Sequence, residues 1–282
     1  MHKHTFKNKR HKMEATTYVN DRIMTVSNFL SPQECKKLIQ MTELQGYKPS
    51  PPSGGGHGQT GRQGARTSQF FVVDDQTFAD LLWKRVRDFV PNNLRGIKPV
   101  PYMNSQTRGD EYTPVGVNDH MRYYKYDIGQ HILKHDDYRM SRYRYDKKED
   151  KFYYQMTFFT LLVYLNDEFQ EGSTSFWTKY ATPEGVKGSH CRFLRDDGET
   201  KFVPPDLKIK PVTGMALLND HMVQHEGEAP AKGCKYILRT DIVHERPIES
   251  KCINDKNKIL KKKTVYSDWE RHYEPSCLNY SE

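Results

Sequence analysis

The chain has 282 residues, of which 35% are apolar and 28% charged, with a net charge of +8 and a pI near 9.0. No apolar run reaches the ~20 residues of a membrane span, and the basic start MHKHTFKNKRHKM has no apolar segment behind it, as a secretory signal would. The five cysteines are odd in number and contain no CxxC pair, which argues against a disulfide framework or a structural zinc site and for a reducing cytoplasmic or nuclear setting.

Residues 1–20 show no usable periodicity and are expected to form a disordered basic tail. Ile23 to Phe29 reads as a strand. Ser31-Pro32-Gln33-Glu34 has the capping Ser, the Pro at the first helical position and the Glu three residues on that start a helix, and Cys35, Leu38, Ile39 and Leu44 continue it at helical spacing. Ser50 to Gly64 is rich in glycine and proline, so a mobile loop is expected. Arg66 to Val73 reads as a strand. Asp75 then caps a second helix carrying Phe78, Leu81, Leu82, Val86 and Phe89, and residues 92–117 look irregular.

From Arg122 the pattern changes to strands. Arg122, Tyr124 and Tyr126 share one strand face, and Gly129 breaks the strand before His135. Arg139 to Asp150 looks like an exposed connection. Phe158 to Leu165 (FFTLLVYL) is an apolar run of strand length, expected to be buried on both faces. Short strands follow at Ser173–Trp177, Met215–Leu218 and Tyr236–Val243. Between them lies an insert, 178–206, in which Asp197-Gly198 suggests a hairpin. Two helices followed by many strands predict a mainly β domain with flanking N-terminal helices, an α+β arrangement around a jelly-roll core. The division expected is a tail to residue 20, a domain over 21–247 (helical support 31–91, β core 120–245) and a basic tail over 248–282.

The chemistry begins with His135-x-Asp137. Side chains two apart on a strand point the same way, so an imidazole nitrogen and a carboxylate oxygen can aim at one point. That is two-thirds of a facial triad for non-haem iron. The third ligand should be a histidine from a distant strand. His221 and His225 both qualify, and a spacing of four cannot choose between them. After a Gly/Pro turn, Lys235, Ile237, Arg239 and Asp241 share the face of a returning strand, which offers cations to an anionic co-substrate.

In order along the chain stand Tyr126-x-x-Gly129, His135-x-Asp137, Thr160-Leu-Leu-Val-Tyr-Leu-Asn-Asp167, Gly172-x-Thr174-x-Phe176, Gly214-x-Ala216, His225-x-Gly227 and Gly233-x-Lys235-Tyr236. This set resembles the iron(II)- and 2-oxoglutarate-dependent oxygenases of the prolyl 4-hydroxylase type, over roughly residues 25 to 247. The resemblance implies a double-stranded β-helix (cupin-like) core, with Fe(II) held by His135, Asp137 and His225. It also implies that Lys235 grips the far carboxylate of 2-oxoglutarate, with hydroxyls from Tyr126 and Thr160. Arg239, on the same face as Lys235, is the competing cation, because a guanidinium can hold a carboxylate by two bonds. His221, Arg122, Tyr124 and Arg66 are candidates for support of the metal ligands or for substrate contact, and Asn219 and Glu226 for support of His225.

The activity implied is hydroxylation of a C–H bond, coupled to oxidative decarboxylation of 2-oxoglutarate to succinate and carbon dioxide. It consumes O2 and is often assisted by L-ascorbate. A prolyl residue of a protein or peptide is the first substrate expected. A free amino acid or other small molecule, or a non-catalytic 2-oxoglutarate sensor, is the alternative. The basic residues lie mainly in the tails, so a nucleic-acid substrate is not favoured, and no membrane partner is expected.

Overall fold

The computed structural model describes residues 12–19, 22–50, 66–91, 94, 112–178, 181–182, 185–186 and 204–248. The expected glycine-rich loop beyond Ser50, the Asp197-Gly198 hairpin, and both terminal basic clusters apart from Lys12 fall outside these residues. The chain opens with strands β1 (Glu14–Val19) and β2 (Ile23–Ser27), helix α1 (Pro32–Gln45), strands β3 (Lys48–Pro49) and β4 (Gln69–Asp74), and helix α2 (Gln76–Val86). Next come β5 (Thr113–Val117), β6 (His120–Tyr126), β7 (Ile132–His135), β8 (Ser141–Asp146), β9 (Lys151–Tyr164), β10 (Gln170–Glu171) and β11 (Thr174–Phe176). The last are β12 (Ala181–Thr182), β13 (Gly185–Val186), β14 (Leu207–Ile209), β15 (Ala216–Asp220), β16 (His225–Gly227), β17 (Pro230–Lys232) and β18 (Lys235–Ile248).

The large sheet runs β1-β2-β15-β9-β18-β6-β4-β3, with β5 added to β18 and β8 to β9. A four-stranded sheet, β14-β11-β16-β7, faces it, and every pairing in both is antiparallel. This is the expected jelly-roll, double-stranded β-helix core with helices at its N-terminal side. Two apolar clusters fill it. One holds Leu38, Phe78 and Leu82 of the helices with Tyr123, Leu161, Val163 and Leu238 of the large sheet. The other holds Tyr124, Tyr126, Tyr164 and Ile237 of the large sheet with Ile132, Phe176, Ile209 and Val223. Neighbouring residues such as Tyr123 and Tyr124 go to opposite clusters, so central strands are buried on both faces. That is why Phe158 to Leu165 reads as an unbroken apolar run.

The helix starts form as their sequences require. The Ser31 hydroxyl accepts from Glu34 N at 3.2 Å, and the Glu34 carboxylate accepts from Ser31 N at 2.7 Å. The same carboxylate then ties α1 to α2 through Arg85, at 2.6 and 3.1 Å. Asp75 caps α2, accepting from Phe78 N at 2.8 Å.

Four boundaries differ from expectation. Thr113–Val117, within the stretch expected to be irregular, forms β5 by pairing with β18. Residues 14–19, assigned to the tail, form β1 by pairing along β2; all but Val19 are exposed, so they carry no hydrophobic period to read. Residues 139–150, expected as a connection, contain β8, which pairs along β9 from Ser141 to Asp146. The final strand reaches Ile248. Among the described residues no helix is long and apolar enough to cross a membrane, and Cys35 and Cys234 are free thiols.

Gly214 has a role no other residue can fill. It has φ +77, its carbonyl accepts from Leu30 N at 3.0 Å, and a Cβ built there would lie 2.0 Å from the Leu30 carbonyl oxygen. The left-handed conformation alone costs a non-glycine residue about 1–2 kcal/mol, before any displacement of backbone. Gly214→Ala should therefore lower the unfolding free energy by more than about 2 kcal/mol, seen as a fall in the urea midpoint with the slope unchanged.

Candidate metal centre

Strands β7 and β16 place two imidazoles side by side. His135 and His225 are paired across the ladder, with ring centroids 4.3 Å apart. Each ring is fixed from behind by the carbonyl two residues before it: Nδ1 of His135 lies 2.7 Å from Leu133 O, and Nδ1 of His225 lies 2.9 Å from Val223 O. A carbonyl can only accept, so each Nδ1 carries the hydrogen and each Nε2 presents a lone pair. The carbonyl of Val223, rather than Asn219 or Glu226, therefore orients His225.

Strand β7 ends at His135, so strand parity does not place Asp137. Its N–H donates instead to His221 O at 2.8 Å, in the turn after β15. The carboxylate then lies with Oδ1 3.7 Å from His135 Nε2 and Oδ2 3.6 Å from His225 Nε2. Donor atoms of the three residues fall within 4.8 Å of one another. Two imidazole nitrogens and one carboxylate oxygen, converging from one side, fit a divalent transition metal with positions left open opposite. His221 is fully buried but turned away, its Nε2 3.3 Å from Asp241 Oδ1, and is not a fourth ligand.

Electrostatics hold Asp137 ionised and His135 neutral, the states a divalent metal would need. Burial would raise the Asp137 pKa, but Arg239 first, then the imidazoles, keep it well below the ordinary carboxylate range. Burial and the neighbouring His225 push His135 down to about 3, so its ring is neutral. Arg239 reaches Asp137 Oδ1 at 2.8 Å, and the Thr160 hydroxyl donates to Oδ2. Behind them, buried Asp241 accepts a hydrogen bond from Arg122 and lies 3.7 Å from Arg239. Asp241 thus supports Asp137 along two routes, through the Arg239 side chain and through His221, whose carbonyl orients the Asp137 backbone.

The other expected anion-binding group sits further along β18. Lys235 is 2% exposed, donates from Nζ to Gly172 O at 2.7 Å, and lies 5.3 Å from the Tyr126 ring centroid. Burial pushes its pKa down to about 8. Four residues of strand, about 13 Å between Cα atoms, separate Lys235 from Arg239. The two cations therefore lie apart in the interior: Arg239 against the Asp137 carboxylate, Lys235 against the Gly172 carbonyl.

Thr160, expected beside Lys235, is instead a partner of Asp137. In the same apolar cluster as Tyr126, the Tyr164 hydroxyl lies 2.7 Å from the Thr174 hydroxyl. The sequence reading missed these as site residues. The signal was present: Thr174 precedes Phe176 by two on a strand whose Phe176 pairs with His225, so it shares the Phe176 face one step from His225. Arg66 and Tyr124 meet, Arg66 Nη1 donating to the Tyr124 hydroxyl at 3.0 Å.

Against known proteins, no family model matches the chain, and no curated protein matches it by sequence. Solved structures do. The chain is similar to the collagen prolyl hydroxylase of Paramecium bursaria Chlorella virus-1, at 18% identity over 79% of this chain and 96% of that one, with a TM-score of 0.45. It is similar to a Pseudomonas putida prolyl-4-hydroxylase, at 14% identity, 78% and 92% coverage, and a TM-score of 0.43. A Trichoplax adhaerens prolyl hydroxylase, solved with a hypoxia inducible factor peptide fragment, matches at 13% identity, 79% and 84% coverage, and a TM-score of 0.44.

Removing Asp241 should loosen the triad without removing a ligand. Asp241→Asn is expected to weaken Mn(II) binding by about 10-fold or more, measured by paramagnetic resonance titration. Unchanged Mn(II) affinity in a folded variant would show that Arg239 and His221 hold Asp137 unaided.

Proposed function

We propose that the protein is an iron(II)- and 2-oxoglutarate-dependent dioxygenase that hydroxylates a C–H bond. The observation that carries this reading is the pairing of a two-histidine, one-carboxylate donor set with a buried ammonium further along the same interior. Lys235 has no carboxylate at ion-pair distance among the described residues. An ammonium taken out of water without a counter-ion costs several kcal/mol. An anion is thus expected to complete the site, and one that also reaches the metal must carry an acceptor group at each end. 2-Oxoglutarate is such a molecule.

His135, Asp137 and His225 would hold the iron. Bound together, iron and 2-oxoglutarate supply O2 activation and the oxidative decarboxylation that yields succinate and carbon dioxide. The protein's share is placement. Leu133 O and Val223 O fix the two imidazoles, and Thr160 and Arg239 fix the carboxylate. Lys235 takes the far carboxylate, assisted by Tyr126 and by Tyr164 and Thr174. Apolar Phe176, Ile132 and Ile237 line the same interior and limit water there. L-Ascorbate is expected to sustain turnover by keeping the metal reduced. A prolyl residue in a peptide remains the first substrate to try.

Succinate should form when the protein is supplied with Fe(II), ascorbate and 2-oxoglutarate, and His135→Ala should abolish it. No succinate from the unaltered protein with any amino-acid or peptide pool would sink the reading.

The lowered pKa of Lys235 gives a second check. The charged form binds the carboxylate, so 2-oxoglutarate affinity should fall as pH rises through about 8, up to about tenfold per pH unit. Lys235→Arg should flatten that dependence. A profile that stays flat in the unaltered protein would remove Lys235 from the anion site.

A further inference from the structure

The dioxygenase reading uses Asp137 and Lys235 and leaves positive charge over. Asp241 answers Arg122 and lies near Arg239. Arg66 has no carboxylate at ion-pair distance among the described residues. Its guanidinium lies 5.0 Å from the Tyr124 ring centroid, and its Nη1 hydrogen bond goes to the Tyr124 hydroxyl. Among the described residues its buried Nε has no partner, and the same holds for the Nε atoms of Arg122 and Arg239. A buried donor left unmade costs more than a made bond returns.

The position of Arg66 is informative. Its backbone bridges Ile132, the first residue of the strand that ends in His135, and its charge is felt at the His135 ring. Tyr124 lies one same-face step from Tyr126 in the direction of Arg122, away from the Lys235 end of the ladder. Having accepted from Arg66, its hydroxyl still has a proton to donate. The tyrosine is wholly buried, yet Arg66, Arg122 and Arg239 together draw its pKa below the ordinary value. The surroundings of that hydroxyl are strongly positive.

We propose that Arg66 and Tyr124 form a recognition point for a carboxylate on the primary substrate, so that the hydroxylated carbon lies near an acid group. This rests on the dioxygenase reading. A guanidinium can meet a carboxylate through two parallel bonds, which would occupy the unpartnered Nε, and the tyrosine proton supplies a third donor. A neutral prolyl amide offers a single carbonyl oxygen and no charge, so it could neither bind the fork through two parallel bonds nor neutralise it. A free amino acid or related small acid therefore fits the site better than an uncharged peptide segment. An acidic side chain within a peptide presents the same chemistry.

The test uses full-length protein loaded with Mn(II) and 2-oxoglutarate, which binds without turning over. Thermal shift is read against L-proline, L-lysine and L-glutamate, each paired with its carboxamide, and against terminally blocked peptides containing Asp or Asn. At least one acid should bind about 30-fold or more tighter than its amide. A free acid alone points to a small-molecule substrate; the Asp peptide alone points to an acidic peptide, and either supports the recognition point. Arg66→Leu should erase the preference, and Tyr124→Phe should weaken the acid by about 10-fold. Half-saturation by 2-oxoglutarate should stay within about twofold in both. Arg66→Lys, which keeps the charge and loses the fork, gives an intermediate preference and serves if the leucine variant does not fold.

Amides binding as well as acids, no member of the panel binding, or Arg66→Leu weakening 2-oxoglutarate as much as the acid would each overturn the proposal. Failure of 2-oxoglutarate to bind the unaltered Mn(II) protein would overturn the dioxygenase reading as well.

Discussion

A carboxylate kept ionised inside a β-sandwich sets the terms for the rest of this structure. Asp137 is 7% exposed, and a lone charge there would be protonated or expelled. It is held by Arg239 at 2.8 Å and by the Thr160 hydroxyl, and its backbone is tied to the turn at His221. Arg239 in turn needs Asp241, which needs Arg122. The chain of alternating charges runs across β18 and β6, neighbours in the large sheet, so that sheet acts as a rigid mount for the ligand. The imidazoles need no such chain, because each is oriented by a carbonyl two residues back in its own segment.

This arrangement explains why the ligands come from the edges and ends of strands while their supports come from strand interiors. β7 and β16 are short, four and three residues, and belong to the smaller sheet. β9 and β18 are fourteen residues each and form the centre of the larger one. A metal-binding group at a strand end can adjust when an ion enters. Its hydrogen-bonding partner in a long central strand cannot, which restricts the adjustment to a small range.

Much of this was legible in the sequence, because it follows local rules. The capping signals at Ser31 and Asp75 act within four residues, so they could be read directly. So could the two-sided burial of Phe158 to Leu165. The ligand set was legible through motif order, since spacing alone left His221 and His225 equivalent; the fold separates them by ending β15 at Asp220 and burying His221 against Asp241. What stayed hidden depends on cross-strand register. Thr160 lies opposite Asp241, not beside Lys235, and no property of residues 158–165 reveals that. β1 and β8 were hidden for another reason. Their exposed or charged residues owe strand structure to backbone pairing with a neighbour, which leaves little compositional trace.

The same register decides how the interior divides its anions. Lys235, Ile237, Arg239 and Asp241 lie on one face of β18, and opposite them on β6 lie Tyr126, Tyr124 and Arg122. Read along this ladder, charge runs from an ammonium with no carboxylate at ion-pair distance among the described residues, through an apolar step, to two guanidiniums that share Asp241, Arg239 being paired with Asp137 as well. The apolar step at Ile237 keeps the two positive regions apart, so one dianion cannot neutralise both unless it spans that step. A co-substrate anchored as proposed, at Lys235 and at the metal, would leave the guanidinium end, with Arg66 against Tyr124, still positive. The shape of the charge distribution, more than its total, is what favours a second anion at that end.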